Sequence, residues 1–222
     1  MSAYCRYAAI DRLPKVLPVF PLRQALLLPR GQLPLNIFEP RYLAMVDAAM
    51  AGDRLIGMVQ PARGCRKDEV PQLAAAGTAG RITSYSETAD GRYLITLTGI
   101  SRFRIGGEEQ VATPFRQCHV DYTPYACDLT CGYGEDEVDR AKLLKMFAAY
   151  LECHALQVDW EGICAASTES LVNALSMLSP YGAEAKQALL EAESLKQRAE
   201  LLMAFAEMDI KQAGEEPGTM LQ

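Results

Sequence analysis

Four prolines within seventeen residues, Pro18, Pro21, Pro29 and Pro34, decide what the opening of this chain can become. Each removes a backbone donor, so none suits the middle of a central strand. The runs 16–20, 25–28 and 35–38 are therefore predicted to be short strands separated by bends. Glu39 then precedes Pro40, and proline is well placed at the first position of a helix. Leu43, Val46 and Met50 recur at helical spacing, which predicts a helix over roughly 40–51.

The strand pattern continues beyond that helix. Residues 55–59 (Leu-Ile-Gly-Met-Val) form a short apolar run of buried-strand type, and 61–76 is looser, with Arg63, Arg66 and Lys67 beside Gly64. The β-prone runs 82–88 and 93–100 flank Asp90-Gly91, a strong hairpin signal. Further on, Phe103 and Ile105 alternate with Arg102 and Arg104. Over 115–122, Cys118, Val120 and Tyr122 likewise alternate with Gln117, His119 and Asp121. Several short strands with one small helix predict a compact, strongly bent sheet or partly open barrel.

Three words in this half, PVFPLR at 18–23, LP at 33–34 and IFEPRY at 37–42, resemble the opening of the Lon-protease N-terminal domain family. DGRY at 90–93, L-x-G-x-x-RFRI at 97–105 and the following PF-R extend the likeness to about residue 123. KQALLEA at 186–192 carries it more loosely into 180–210, while 124–170 is only loosely similar. The resemblance implies a pseudo-barrel of the kind shared with PUA RNA-modification modules. It also implies the substrate-handling part of Lon, as distinct from the parts that hydrolyse ATP or peptide bonds.

The second half changes period. Glu135, Asp136 and Glu137 would favour a helix start by their charge, followed by an apolar stripe of Leu144, Phe147, Ala148 and Leu151. Ser167 is a predicted cap for a helix carrying Leu171, Ala174, Leu175 and Leu178, which Pro180 ends. Ser194 to Gln197 fits the capping-box pattern. It opens a last helix with Leu195, Ala199, Leu202 and Ala206 on one line and Leu201, Phe205 and Met208 on another. Residues 214–222 lose all pattern and are expected to fray.

Charge divides at the same place. Residues 1–123 hold 15 Lys and Arg against 11 Asp and Glu, and 124–222 hold 7 against 17, within a net −6 overall. The expectation is an α+β protein. A PUA-like bent sheet or pseudo-barrel with one short helix over 1–123 precedes a helical bundle over 124–213, and a tail follows over 214–222.

No run approaches the roughly 20 apolar residues that span a bilayer. Arg6 and Asp11 interrupt the apolar N-terminus, so a cytoplasmic location is the default expectation. The seven cysteines are odd in number and contain no Cys-x-x-Cys, which favours free thiols.

Reactive chemistry is sparse. None of the sixteen glycines is followed by lysine, so a phosphate-gripping Gly-Lys-Ser/Thr loop is absent from these 222 residues. Gly99-Ile-Ser101 lacks the second glycine of a nucleophile elbow, and only two histidines occur. Cys118-His119, Cys153-His154 and Cys127-x-x-x-Cys131 contain metal-ligating atoms at unhelpful spacing, because the adjacent pairs diverge on a strand or helix. Cys127 and Cys131, in a Gly/Tyr-rich loop, remain open to redox or metal chemistry. No cofactor is expected.

Candidate contact residues are Phe38, Glu39, Arg41 and Tyr42 at the strand-to-helix lip, Met58 on an adaptable apolar surface, and Arg102 and Arg104 on one strand face. Each has a structural alternative: Glu39 and Arg41 tying down the Pro40 turn, Met58 filling core, the two arginines forming a solvated face or pairing with the acidic half. The function expected from residues and resemblance together is non-catalytic binding of unfolded or extended polypeptide, with a protease or chaperone as collector left open. RNA binding by the barrel is the alternative. Overall acidity and scattered arginines count against nucleic acid.

Overall fold

The computed structural model describes residues 7, 9–62 and 72–215. Residues 63–71, which carry Arg63, Arg66, Lys67 and Cys65, lie outside the described set, as do Cys5 and 216–222.

Six strands form one sheet: β1 (Val16–Pro21), β2 (Gln32–Ile37), β3 (Leu55–Pro61), β4 (Leu73–Glu87), β5 (Tyr93–Glu108) and β6 (Gln117–Asp121). Their order is β2-β5-β4-β3-β1-β6, and β5 pairs with β6 as well. The strands β5, β4, β3, β1 and β6 therefore close a ring, and β2 stays outside it on the flank of β5. The length of β5 makes this possible. Its first half pairs with β2, from Gln32 opposite Thr98 to Ile37 opposite Tyr93, and its second half pairs with β6 from Arg104 opposite Asp121. The barrel is thus mixed, with β1 and β3 parallel and the other described strand pairs antiparallel. Pro18 is accommodated because β1 changes partner there: 16–18 pair with β6 and 19–21 with β3.

The predicted strand at 25–28 does not form. Leu26, Leu27 and Leu28 are instead buried in an irregular segment, where the Thr78 hydroxyl donates to the Leu27 carbonyl at 2.6 Å. A single bridge then joins Pro29 to Gly99. The backbones approach so closely that a Cβ on Gly99 would overlap the Leu28 carbonyl group, 2.8 Å from its carbon.

Helix α1 (Pro40–Ala51) begins on Pro40 as expected and lies over one side of the barrel. Its buried set is Tyr42, Met45, Val46 and Ala49, packed with Phe20, Ile37, Ile56, Ile82, Ile95 and Leu97. Leu43 and Met50 are only partly covered. Each fully buried aliphatic side chain there stabilises the fold by roughly 1.5–3 kcal/mol.

After β6 come a 3-10 segment (Thr123–Leu129) and α2 (Arg140–Cys153), α3 (Trp160–Ala165), α4 (Thr168–Leu178), α5 (Ala183–Glu191) and α6 (Leu195–Glu215). The acidic run 135–137 makes a 3-10 turn rather than a helix start, and Asp139 caps α2 by accepting from the Lys142 amide at 2.9 Å. Ser167 caps α4 and Ser194 caps α6. Gln197 reaches back to the amide of Glu193 rather than that of Ser194.

The buried faces of two helices differ from the sequence pattern. On α2 they are Leu143, Tyr150 and Leu151, and Ala148 is exposed. On α4, Leu178 is 82% exposed, while Glu169, Asn173 and Ser176 face inward with Leu171 and Val172. Helix α4 is turned by its polar residues, which have partners in the interior. On α6 the line of Leu195, Ala199, Leu202 and Ala206 is buried as expected, with Arg198 and Met203 beside it. One apolar core joins Leu26 and Leu28 of the irregular segment and Ala76 of β4 to Leu143, Val172, Leu189 and Leu202 of the helices, across the boundary expected at 123.

Candidate functional site

Among the described residues no strand lies beside the outer edge of β2. The directions of its backbone groups follow from the ladder. Gly99 donates to the Gly31 carbonyl at 2.9 Å and accepts from the Arg30 amide at 2.8 Å, while the Thr96 carbonyl is turned toward β4, where it accepts from Thr83. Odd-numbered residues of β5 thus face β2, so Leu33, Leu35 and Ile37 exchange bonds with Leu97, Ile95 and Tyr93. Gln32, Pro34 and Asn36 point their backbone groups away from the sheet. The donor that Pro34 lacks would have been on this open side, so β2 loses no ladder bond by containing proline. The side chains of Leu33 and Leu35 pack partly against the α1 side of the core, and those of Gln32, Pro34 and Asn36 are exposed.

Apolar surface flanks both ends of this edge. At one end Phe38 is 62% exposed, with the Arg92 guanidinium 5.9 Å from its ring. At the other a groove of about 290 Å³ opens between residues 29–32 and α4. Ala174, Met177 and Leu178 supply its apolar wall, and Arg30 with Glu169 its charged floor. Gln32 belongs to both the groove and the edge. An extended chain of about six residues, roughly 20 Å long, would reach from the groove to Phe38.

The residues singled out from sequence divide sharply. Glu39 and Arg41 are exposed and paired at 2.8 Å, and Arg41 lies 4.5 Å over the Tyr42 ring. Tyr42 packs on Phe20 at 4.4 Å, and its hydroxyl is raised above the ordinary tyrosine value, mainly by burial. Phe38, Glu39 and Arg41 therefore sit at one end of the β2 edge with solvent access, and Tyr42 braces them from below. Met58 is 3% exposed, packed in the cluster between the sheet and α1, and faces core rather than a ligand. Arg102 is 2% exposed, which removes it from the strand face it was expected to share with Arg104. The 3-10 segment and the end of α5 cover it. Arg104 is exposed and faces Asp121 across the ladder.

Arg102 is the centre of a buried polar network that periodicity could not reveal. Its guanidinium bonds both oxygens of Asp128 at 2.8–3.2 Å, donates to the Leu190 and Ala192 carbonyls at 2.9 and 2.5 Å, and lies 4.3 Å over the Tyr125 ring. Asp128 also accepts from the Arg102 backbone amide at 2.8 Å. Next to it, Arg30 donates to the Asp128 carbonyl at 2.7 Å and pairs with Glu169, whose other oxygen accepts from Gly132 at 2.9 Å. Arg198 donates to the Leu189 carbonyl and to Asn173, both at 2.9 Å, and Asn173 donates to the Pro29 carbonyl at 3.2 Å. These bonds fix α4, α5 and α6 to the barrel and so set the width of the groove beside β2.

Among the described residues no group of three His, Cys, Asp or Glu side chains could hold a metal ion. Cys118 is fully buried and its thiol is pushed up to about 11, by burial first and by the Glu108 carboxylate second. Cys131, Cys153 and Cys164 are exposed. In the native protein, a thiolate-selective alkylating reagent at neutral pH is expected to label those three, with Cys118 labelling only after denaturation. Peptide mass mapping reads the pattern, and native labelling of Cys118 would contradict its enclosure. No helix among the described residues is long and apolar enough to cross a membrane.

A ring-closed barrel with a docked helical bundle, and with β2 on its flank unpaired along its outer edge among the described residues, is the architecture that positions these residues. The chain belongs to the family described as the ATP-dependent protease La (LON) substrate-binding domain, whose model matches residues 16–207. It is similar to Lon protease of Desulfosudis oleivorans, 32% identical over 96 residues, covering 42% of this chain and 12% of that protein. It is also similar to Lon protease of Syntrophus aciditrophicus, 26% identical over 196 residues, covering 85% of this chain and 24% of that protein. The chain thus spans about a quarter or less of these curated relatives.

Two solved structures share the fold. The Lon N-terminal domain protein from Xanthomonas campestris has a TM-score of 0.62 at 23% identity, covering 86% of this chain and 99% of that one. The N-terminal domain of Mycobacterium avium complex Lon protease has a TM-score of 0.65 at 19% identity, covering 87% and 98%.

Proposed function

We propose that this domain binds unfolded or extended polypeptide and carries out no covalent chemistry of its own. The free edge of β2 is the observation that carries the reading. An extended segment laid beside it gains main-chain hydrogen bonds from Gln32 and Asn36, and its side chains reach the groove at one end and Phe38 at the other. Such recognition is indifferent to most of the bound sequence, which suits a receiver of many chains. Glu39 and Arg41 form the polar rim beside Phe38. The relatives are Lon proteases, so the captured chain is proposed to be destined for a protease of that type.

The RNA alternative draws little from the geometry. Arg102 is buried, and Arg104 is left beside Asp121, so the barrel presents no basic patch from this strand.

The test is a binding titration with a reduced, carboxymethylated protein as the unfolded probe and its folded form as control. Tighter binding of the unfolded form is expected, and equal binding would reject the proposal. Asn36→Pro removes one outward donor without touching the β5 ladder, so affinity is expected to fall roughly 2- to 10-fold with the fold intact. Unchanged affinity would move the site off this edge.

A further inference from the structure

Arg198 is 3% exposed, yet its described bonds go only to neutral acceptors, the Leu189 carbonyl and Asn173. Its Nη2 is buried and has no hydrogen-bond partner among the described residues. The two carboxylates nearby are committed elsewhere: Asp128 is clasped by Arg102, and Glu169 is taken by Arg30 and the Gly132 amide. Three guanidiniums thus converge on two buried carboxylates, leaving one positive charge without a counter-charge among the described residues. Glu193 also borders this place but is solvent-exposed.

Isolated buried charge is costly and is normally neutralised by proton loss or by a partner. Proton loss does not serve here. Burial, with repulsion from Arg102 second, draws the Arg198 guanidinium down to about 9, which still leaves it charged at neutral pH. A partner has room: Arg198 lines a cleft of about 20 Å³ together with Arg30, Arg102, Thr130 and Tyr133, and with the Asp128 and Glu169 carboxylates already engaged by Arg102 and Arg30. That volume admits one particle near the size of a water molecule. Ser194 and Leu195, the start of the 21-residue helix α6, form the adjoining wall and add the positive end of a helix dipole.

We propose that this cleft binds one small monovalent anion of chloride size, held by Arg198 Nη2 and the N-terminus of α6. The anion completes the charge balance of the network that fixes the bundle to the barrel. It occupies a place separate from the β2 edge, so it stands whether or not that edge binds polypeptide.

The experiment is thermal unfolding of the wild-type protein at fixed ionic strength, with chloride replaced stepwise by gluconate, an anion too large for the cleft. A saturable rise of about 2–4 °C in the midpoint with chloride is expected. A crystal grown with bromide is expected to show an anomalous peak within hydrogen-bonding distance of Arg198 Nη2. Equal midpoints in chloride and gluconate would overturn the proposal, with a trapped water filling the cleft instead. So would a halide effect whose bromide peak lies elsewhere.

Discussion

Asp128→Ala is expected to destabilise the protein by about 3–5 kcal/mol, a large share of the 5–15 kcal/mol typical of a whole domain. The size comes from what is left behind. At 2% exposure Arg102 has no water to replace the carboxylate. Its contacts with Leu190 and Ala192 would persist, but these are neutral acceptors. Urea unfolding of both proteins reads the difference. Replacing the pair together, Arg102→Met with Asp128→Leu, is expected to recover part of the loss, because the orphaned charge disappears. Recovery stays incomplete because the carbonyls of Leu190 and Ala192 then lose their donor. A loss below about 1 kcal/mol for Asp128→Ala would mean the network does not anchor the bundle.

Gly99→Ala is the second large effect. A methyl group here has no soft neighbour to displace, since it meets the Leu28 carbonyl group and then the Leu27 side chain. Relief requires separating the Pro29–Gly99 bridge, which also carries the Arg30-to-Gly99 and Gly99-to-Gly31 hydrogen bonds. The expected cost is about 3 kcal/mol, at the upper end of ordinary overpacking, because backbone must move. Gly91→Ala provides a control of different character: its Cβ would meet nothing, and only its left-handed backbone (φ +77°) resists substitution. Its cost is expected near 1 kcal/mol. Comparable losses for the two variants would show that the bridge is not tightly packed.

The barrel was legible because its residues obey short-range rules. Proline at a helix start, Asp-Gly between β-prone runs and alternation over 115–122 are all decided by near neighbours, and α1, the β4–β5 hairpin and β6 appear where those rules put them. The segment 25–28 misled because three buried leucines in a row look like a strand, whereas here they fill a corner beneath Thr78 and Gly99. Helix α4 was misjudged for the opposite reason. Glu169 and Asn173 look like solvent positions until Arg30 and Arg198, 139 and 25 residues away respectively, arrive to bind them.

The same distance hid Asp128 from the candidate site. Alternation correctly gave Arg102 a side of its strand but could not tell that residues 123–129 would cover that side. The lip that carries Phe38, Glu39 and Arg41 was legible because a strand meeting a helix at Pro40 is a local feature. The open flank of β2 was not, since which strand ends up unpaired is a property of the entire sheet.

Pro34 in the middle of β2 has a kinetic consequence. A guest strand bound as proposed would find an amide donor at Gln32 and at Asn36 but none between them, so its grip would be interrupted halfway. Each bond withheld weakens attachment by about 1 kcal/mol, which hastens departure roughly fivefold. For the same reason two copies of this chain cannot zip their edges into an uninterrupted shared sheet. If the edge binds polypeptide as proposed, its occupancy would be brief by construction, and a guest would be free to leave for whatever comes next.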